Sequence, residues 1–283
     1  MADTLERALP SVASQLDDDF EVLVVDDGST DGSVSVLEKL AMEFPLIRYI
    51  PLSRDRKRKL GETRNISVRE AKGEYVILHV DADDVWEPFI KDFVSVFHRL
   101  ESCMRRDILL SGQQINIGKR DFLLEHGPYR NTGRLEDRDL WTRLAAIDSY
   151  IPLDHRVFRT RLSRPQKLVF WKAVRSLWDR LLYDFRSGTD GTAYIVENLQ
   201  GVVVSRSEPS SLKNRLFRAF FVVPAYLASK FQEDLTPPEA MTSANAFADY
   251  RERTRGTYSE IMSRNGCDPS LAFLSAEAQS VFQ

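Results

Sequence analysis

The stretch Tyr75-Val76-Ile77-Leu78-His79-Val80-Asp81-Ala82-Asp83-Asp84 limits the choice of fold more than any other part of the chain. It is an apolar run, introduced by Lys72-Gly73-Glu74, that passes directly into Asp81, Asp83 and Asp84. A run of this length fits a parallel strand covered on both faces. Open α/β sheets bind ligands at the carboxyl ends of such strands, which is where these acids fall. Clustered oxygen ligands suit Mg²⁺ or Mn²⁺ shared with a substrate phosphate, because Mg²⁺ takes few protein carboxylates and leaves its other positions to phosphate and water. The same aspartates could instead start a turn and cap the next helix. On this stretch alone the two readings stand level.

The rest of the first half alternates in the same way. Residues 3 to 16 read as a helix with Asp3 and Glu6 spaced as a capping box, interrupted by Pro10. Phe20 to Val25 reads as a strand ending in Asp26-Asp27-Gly28-Ser29-Thr30-Asp31-Gly32. A helix is expected over about Ser33 to Glu43, then a strand from Ile47 to Leu52 and a basic loop, Arg54 to Lys59. A helix from Glu62 to Lys72 stops at Gly73, and another runs from Pro88 to about Glu101. Strands and helices alternating at such short intervals predict a parallel sheet with crossover helices. The acid-ended strands at Asp26-Asp27 and Asp81-Asp83 would then open on one edge. One could offer acceptors to a nucleobase or ribose while the other holds a metal on a diphosphate.

Composition narrows the class. The 283 residues carry 43% hydrophobic and 29% charged side chains, ordinary for a soluble globular protein. A net charge of -3 and a pI near 5.9 argue against a nucleic-acid partner. The two cysteines, Cys103 and Cys267, suggest neither a metal cluster nor a disulfide framework, and so a reducing compartment. No signal peptide is recognisable, and no apolar run reaches the ~18 residues of a membrane-spanning helix.

Three motifs in order resemble family 2 glycosyltransferases of the GT-A fold. They are Val25-Asp26-Asp27-Gly28-Ser29-Thr30-Asp31-Gly32; Arg64-Asn65 with Gly73-Glu74-Tyr75-Val76 leading to Asp81-Ala82-Asp83-Asp84; and Gly133-Arg134-Leu135-Glu136-Asp137-Arg138-Asp139-Leu140-Trp141. The resemblance covers about residues 3 to 160. It implies a Rossmann-like, mixed but mainly parallel sheet with flanking helices, and it favours the metal reading. By the same resemblance, Asp27 contacts the donor's base, Asp81 holds the ribose or diphosphate, and Asp83 ligates Mg²⁺ or Mn²⁺. Asp137 would be the general base on the acceptor hydroxyl, giving inversion at the anomeric carbon. Arg64 would face the diphosphate, or else form a surface ion pair. Where family members often carry a His near the metal, this chain has Phe158-Arg159-Thr160-Arg161. His155 lies close by and could substitute, but a surface or core histidine is expected there, and His79 reads as a core histidine. In the family the first strand precedes the first helix and lies beside the strand ending at Asp26. Here Met1-Ala2-Asp3 begins where that strand should have finished, so an N-terminally truncated domain with its first sheet strand missing is expected.

The organisation expected is a GT-A domain over residues 1–160 and a helical, membrane-associating region over 161–283. In the latter, Pro165 to Phe185 reads as an amphipathic helix with Leu168, Trp171, Val174, Trp178, Leu181 and Phe185 on one side and basic residues elsewhere. Leu216 to Ala228 is a second apolar stretch, too short to span a bilayer. Peripheral attachment to the cytoplasmic face is the expected location, with a nucleotide-diphosphate sugar as donor and a lipid-linked or polysaccharide glycan as acceptor. Two alternatives stand beside this: a haloacid-dehalogenase-type phosphatase built on Asp81 and Asp83, and a non-catalytic, membrane-associated subunit with a degenerate donor site.

Overall fold

The computed structural model describes residues 2–55, 57–132, 135–162, 169–188, 190–200, 212–235, 238, 241 and 246–283. Helix α1, Ala2–Ala13, buries Leu5, Ala8, Leu9 and Val12, the spacing of one helical face. It runs through Pro10, where a break or kink was expected. That face packs on Leu37 and Leu40 of α2, Ser33–Glu43, and on Ile47. Helix α2 is the crossover between β1, Val22–Asp26, and β2, Ile47–Pro51, which pair in parallel from Val22 opposite Ile47 to Asp26 opposite Pro51. Helix α3, Leu60–Glu70, returns the chain to β3, Tyr75–Leu78.

The sheet is mixed. β3 heads four strands in the order β3-β6-β5-β7, where β5 is Leu109–Ser111, β6 is Asn116–Lys119 and β7 is Tyr150–Pro152. β5 pairs with β7 in parallel, but β6 runs antiparallel to both β3 and β5. β3 therefore differs from the buried parallel strand expected: its ladder is antiparallel, and Tyr75, Val76 and Ile77 are half-buried. Among the described residues β1 and β3 share no ladder, so β1-β2 stands as a separate two-stranded sheet.

The principal core lies on α4, Ile90–Met104, whose Ile90, Phe93, Val96, Phe97 and Leu100 are buried together. The last helices join that core. α11, Tyr258–Arg264, and α12, Ala276–Phe282, insert Tyr258, Ile261, Met262, Val281 and Phe282 beside Phe93 and Phe158. Full burial of such side chains stabilises by about 1.5–3 kcal/mol each. The two cysteines correct the expectation made for them. Cys103, at the end of α4, is disulfide-bonded to Cys267, just after α11, with Cα atoms 6.2 Å apart. A separation of 164 residues hid the pair from the sequence.

Between these parts lie β4, Asp84–Trp86, α5, Arg120–His126, α6, Glu136–Ala146, and β8, Arg159–Arg161. Helices α7, Val169–Arg186, α8, Gly191–Gln200, and α9, Leu212–Ser229, gather around Leu181, Val222 and Ala225. The expected helix from Pro165 begins outside the described residues. α10, Ala246–Thr254, packs Tyr250 against the Tyr150 and Leu144 cluster. No described helix is long and apolar enough to cross a membrane.

Candidate active site

After Leu78 the chain turns, and the Asp84 N–H donates to the Asp81 carbonyl at 3.1 Å. The turn leads into β4, which pairs antiparallel with β8 so that Asp84 stands opposite Arg161. Asp84 is fully buried and bound by both arginines of β8. Arg159 Nη1 donates to Oδ1 at 2.8 Å, Arg161 Nε donates to Oδ1 at 2.9 Å, and Arg161 Nη2 donates to Oδ2 at 3.1 Å. Arg161 Nη2 also reaches Asp81 Oδ2 at 2.6 Å. The hydrogen bonds to Asp84 and the fields of Asp83 and Asp81 hold the Arg161 guanidinium far above its ordinary range. Asp84 is thus an internal anchor, while Asp81 stays half exposed.

Among the described residues no three His, Cys, Asp or Glu side chains gather closely enough to hold a metal ion. The Mg²⁺ mode of one or two carboxylates completed by substrate phosphates needs no such cluster, and Asp83 and Asp81 are the acids of this turn that it would use.

The other acid-ended strand, β1, divides its work similarly. Asp26 is buried, and its Oδ2 accepts the Ser29 N–H at 3.0 Å, which shapes the turn. Asp27 points outward into an ion pair with Arg58 of the basic loop. Gly28 adopts φ 72°, and a Cβ there would fall 2.6 Å from the Arg54 Cα, so the basic loop lies directly on the turn.

The third group is on α6. Asp139 is buried and bound by Arg130, with Nε 2.9 Å from Oδ2, and by Arg143, with Nε 3.1 Å from the same oxygen. Glu136 is buried too; its Oε1 accepts from Arg64 Nη1 at 2.8 Å, and its Oε2 has no partner among the described residues. Only Asp137 is partly exposed, and its Oδ1 takes both Arg64 and, at 3.0 Å, His79 Nε2. No described residue bonds its Oδ2. Arg64 therefore forms an ion pair with the acids of α6 and lies 5.5 Å over the Tyr129 ring, rather than on the surface. Gly133 and Arg134 of the acidic motif lie outside the described residues.

His79 is a mostly buried histidine with polar partners, as expected, and those partners include Asp137 of the acidic motif. It adopts φ 67°, a left-handed conformation uncommon outside glycine. This turns its ring from the apolar strand toward Asp137, Tyr129 and Trp141. Nδ1 contacts the Asn116 side-chain amide, and Nε2 lies 3.3 Å from the Tyr129 hydroxyl. Burial, aided by Arg64, pushes its pKa down to about 3, so the ring is neutral and its contact with Asp137 is polar rather than ionic. The sequence signal was one polar residue inside an apolar run two positions before the acids. Two residues span at most ~7 Å of chain, so Asp81 follows closely after a residue that contacts the carboxylate of α6.

His155 is a core histidine, as expected. It is buried among Phe93, Phe158 and Phe282, accepts the Gln113 N–H on Nε2 at 2.8 Å, and donates from Nδ1 to the Arg156 carbonyl at 2.7 Å. Burial lowers its pKa to about 4.

The glycosyl transferase family 2 model matches residues 2–159, and the chain belongs to that family. Its fold is of the GT-A class, an α/β domain with a helical C-terminal part. An uncharacterised glycosyltransferase of Nostoc sp. is 36% identical over 107 residues, 34% of this chain and 32% of that protein. The cholesterol galactosyltransferase of Borreliella burgdorferi is 31% identical over 138 residues, 47% of this chain and 36% of that one. These matches span about a third of the relatives' own lengths. A mannosyltransferase from Pyrobaculum calidifontis, solved with GDP-Man and Mn²⁺, aligns over 90% of this chain and 80% of its own, with TM-score 0.45 and 16% identity. Family membership removes the phosphatase alternative.

Proposed function

We propose that this glycosyltransferase moves a sugar from a nucleotide-diphosphate donor to an acceptor hydroxyl with inversion, using Asp137 as the general base. The observation that carries the reading is the asymmetry of Asp137: Arg64 and His79 hold one oxygen and leave the other open. Glu136 and Asp139, the other acids of the motif, are buried in ion pairs. Asp27 and Asp81 bind the donor's base and its ribose or diphosphate. Arg64 orients the base rather than serving the diphosphate alone. Asp83, with Asp81 beside it, is the protein ligand for Mg²⁺ or Mn²⁺. When bound with the diphosphate, such a cation stabilises the leaving nucleoside diphosphate as a Lewis acid.

The acceptor proposed is a lipid-linked or polysaccharide glycan. The Borreliella relative is named for a sterol acceptor, and a Campylobacter jejuni relative, 32% identical over 81 residues, for an undecaprenol-linked glycan. Within the residue 161–283 region, helices α7 and α9 are proposed to lie on a membrane surface. Phe220, Val223 and Leu227 support this by forming an exposed apolar stripe on α9, with Phe231 just beyond it and Trp171 and Phe170 exposed on α7.

The test is a screen of nucleotide sugars, with and without Mn²⁺ or Mg²⁺, read by release of nucleoside diphosphate. Cation-dependent release from one donor class is expected. Donor binding with no turnover on any acceptor or on water would favour a non-catalytic subunit instead.

A further inference from the structure

We propose that Arg161 is a donor-binding residue of this site, a preset guanidinium that takes an oxygen of the leaving diphosphate. The inference rests on the donor reading above and adds to it a residue from β8, far in sequence from the acids it serves.

The argument starts from charge. The turn after β3 brings Asp81, Asp83 and Asp84 together where a diphosphate, itself a polyanion, has to sit. Three uncompensated carboxylates would repel it. β8 answers with two cations: Arg159 and Arg161 flank Asp84, and Arg161 reaches on to Asp81. Asp84 and Asp81 are thereby balanced before any ligand arrives. Asp83 is close enough for its field to act on Arg161.

Geometry then separates the two arginines. Arg159 is mostly buried, at 15% side-chain exposure, and serves Asp84. Arg161 is 47% exposed, and all its bonds within the described residues are made by Nε and Nη2. Its Nη1, with two N–H donors, bonds no described residue. A planar guanidinium pinned along one edge by a buried carboxylate keeps its other edge oriented, which is the arrangement suited to phosphate oxygens. Because Asp84 pays the ordering of the side chain in advance, little further freedom is lost on binding. Asp84 is accordingly a positioning residue, acting through Arg161.

The experiment is calorimetric titration of the full chain with UDP, GDP, uridine, guanosine and pyrophosphate, with and without Mn²⁺, and of Mn²⁺ alone. Arg161→Ala should weaken the nucleoside diphosphate that the wild type binds, and pyrophosphate, by about 10- to 100-fold, the value of a charge-assisted hydrogen bond. The matching nucleoside should bind unchanged, and Mn²⁺ alone at least as tightly, since Asp81 is released. Should Arg161→Ala fail to bind nucleoside, and so be misfolded, Arg161→Gln decides, because its amide can still donate to Asp84 while the charge is gone. It should show the same selective loss. Diphosphate affinity within twofold of wild type in a variant that still binds nucleoside overturns the role of Arg161 and leaves the donor reading standing. A wild type that binds neither UDP nor GDP overturns both.

Discussion

Asp137 has one carboxylate oxygen occupied and one open, and that division sets what its replacement should do. Asp137→Asn keeps the size and the contact with Arg64 but cannot take the acceptor's proton. Transfer should fall by about 10²–10⁴-fold, the usual worth of a general base, with donor affinity unchanged; near-full transfer would remove Asp137 from the role. His79 acts on the same oxygen. His79→Phe keeps a planar ring on the same left-handed backbone but loses Nε2, and kcat should drop by about 10–100-fold, as for other outer partners that orient a catalytic group. His79→Gln should recover part of that loss, and His79→Phe added to Asp137→Asn should cost little more, since groups acting as a unit are non-additive. Additive losses in the double variant would make His79 structural only. Asp83→Ala should abolish the Mn²⁺ or Mg²⁺ dependence of donor turnover; unchanged turnover in excess chelator, in the wild type, would end the metal assignment.

At the scale of elements, the β4-β8 ladder sets two arginines against the acidic turn. Its key is a carboxylate with no exposure, Asp84, between Arg159 and Arg161. Removing one member of a buried charge group leaves the others uncompensated, at a cost of about 3–5 kcal/mol. Asp84→Ala should therefore lower stability by that order in urea denaturation. Asp81→Ala, whose partner is half exposed, should change it by less than about 1 kcal/mol. Equal effects would mean that the ladder, not the buried charge, carries the stability. Periodicity placed α2 on its observed bounds. It could not place β8, because Arg159-Thr160-Arg161 has no apolar pattern and forms a strand only by pairing with β4.

At the scale of the molecule, the Cys103–Cys267 bond ties the segment after α11 to the end of α4, and α12 completes the core there. Cys267→Ser should lower stability by about 2–4 kcal/mol under non-reducing conditions, the common worth of a disulfide, and by nothing further once reductant is added. If wild type and variant denature alike without reductant, the bond is not formed in solution, as a reducing compartment would require. The α7–α9 hairpin is a separate matter. Trp178 and Leu181, expected on a lipid-facing side, pack instead against α9, and the exposed aromatic residues are Phe170, Trp171 and Phe220. The full chain should bind anionic vesicles, less so as salt rises. Phe220→Ser with Leu227→Ser should weaken that binding; vesicle binding untouched by the pair would move the contact elsewhere.

The sequence by itself determined the α/β class, the two acid-ended strands and the family, because apolar periodicity and short motifs are local and survive without neighbours. Tertiary structure decided the rest. Which acid stays open and which becomes an anchor depends on burial and on partners such as Arg64 and Arg159, far from them in the chain. His79 entered the site through one left-handed residue, a backbone choice no hydropathy pattern encodes. Cys103 and Cys267 met because α11 folds back onto α4. Each of these is a matter of distance in space, and distance in space between residues remote in sequence is set only when the cores close.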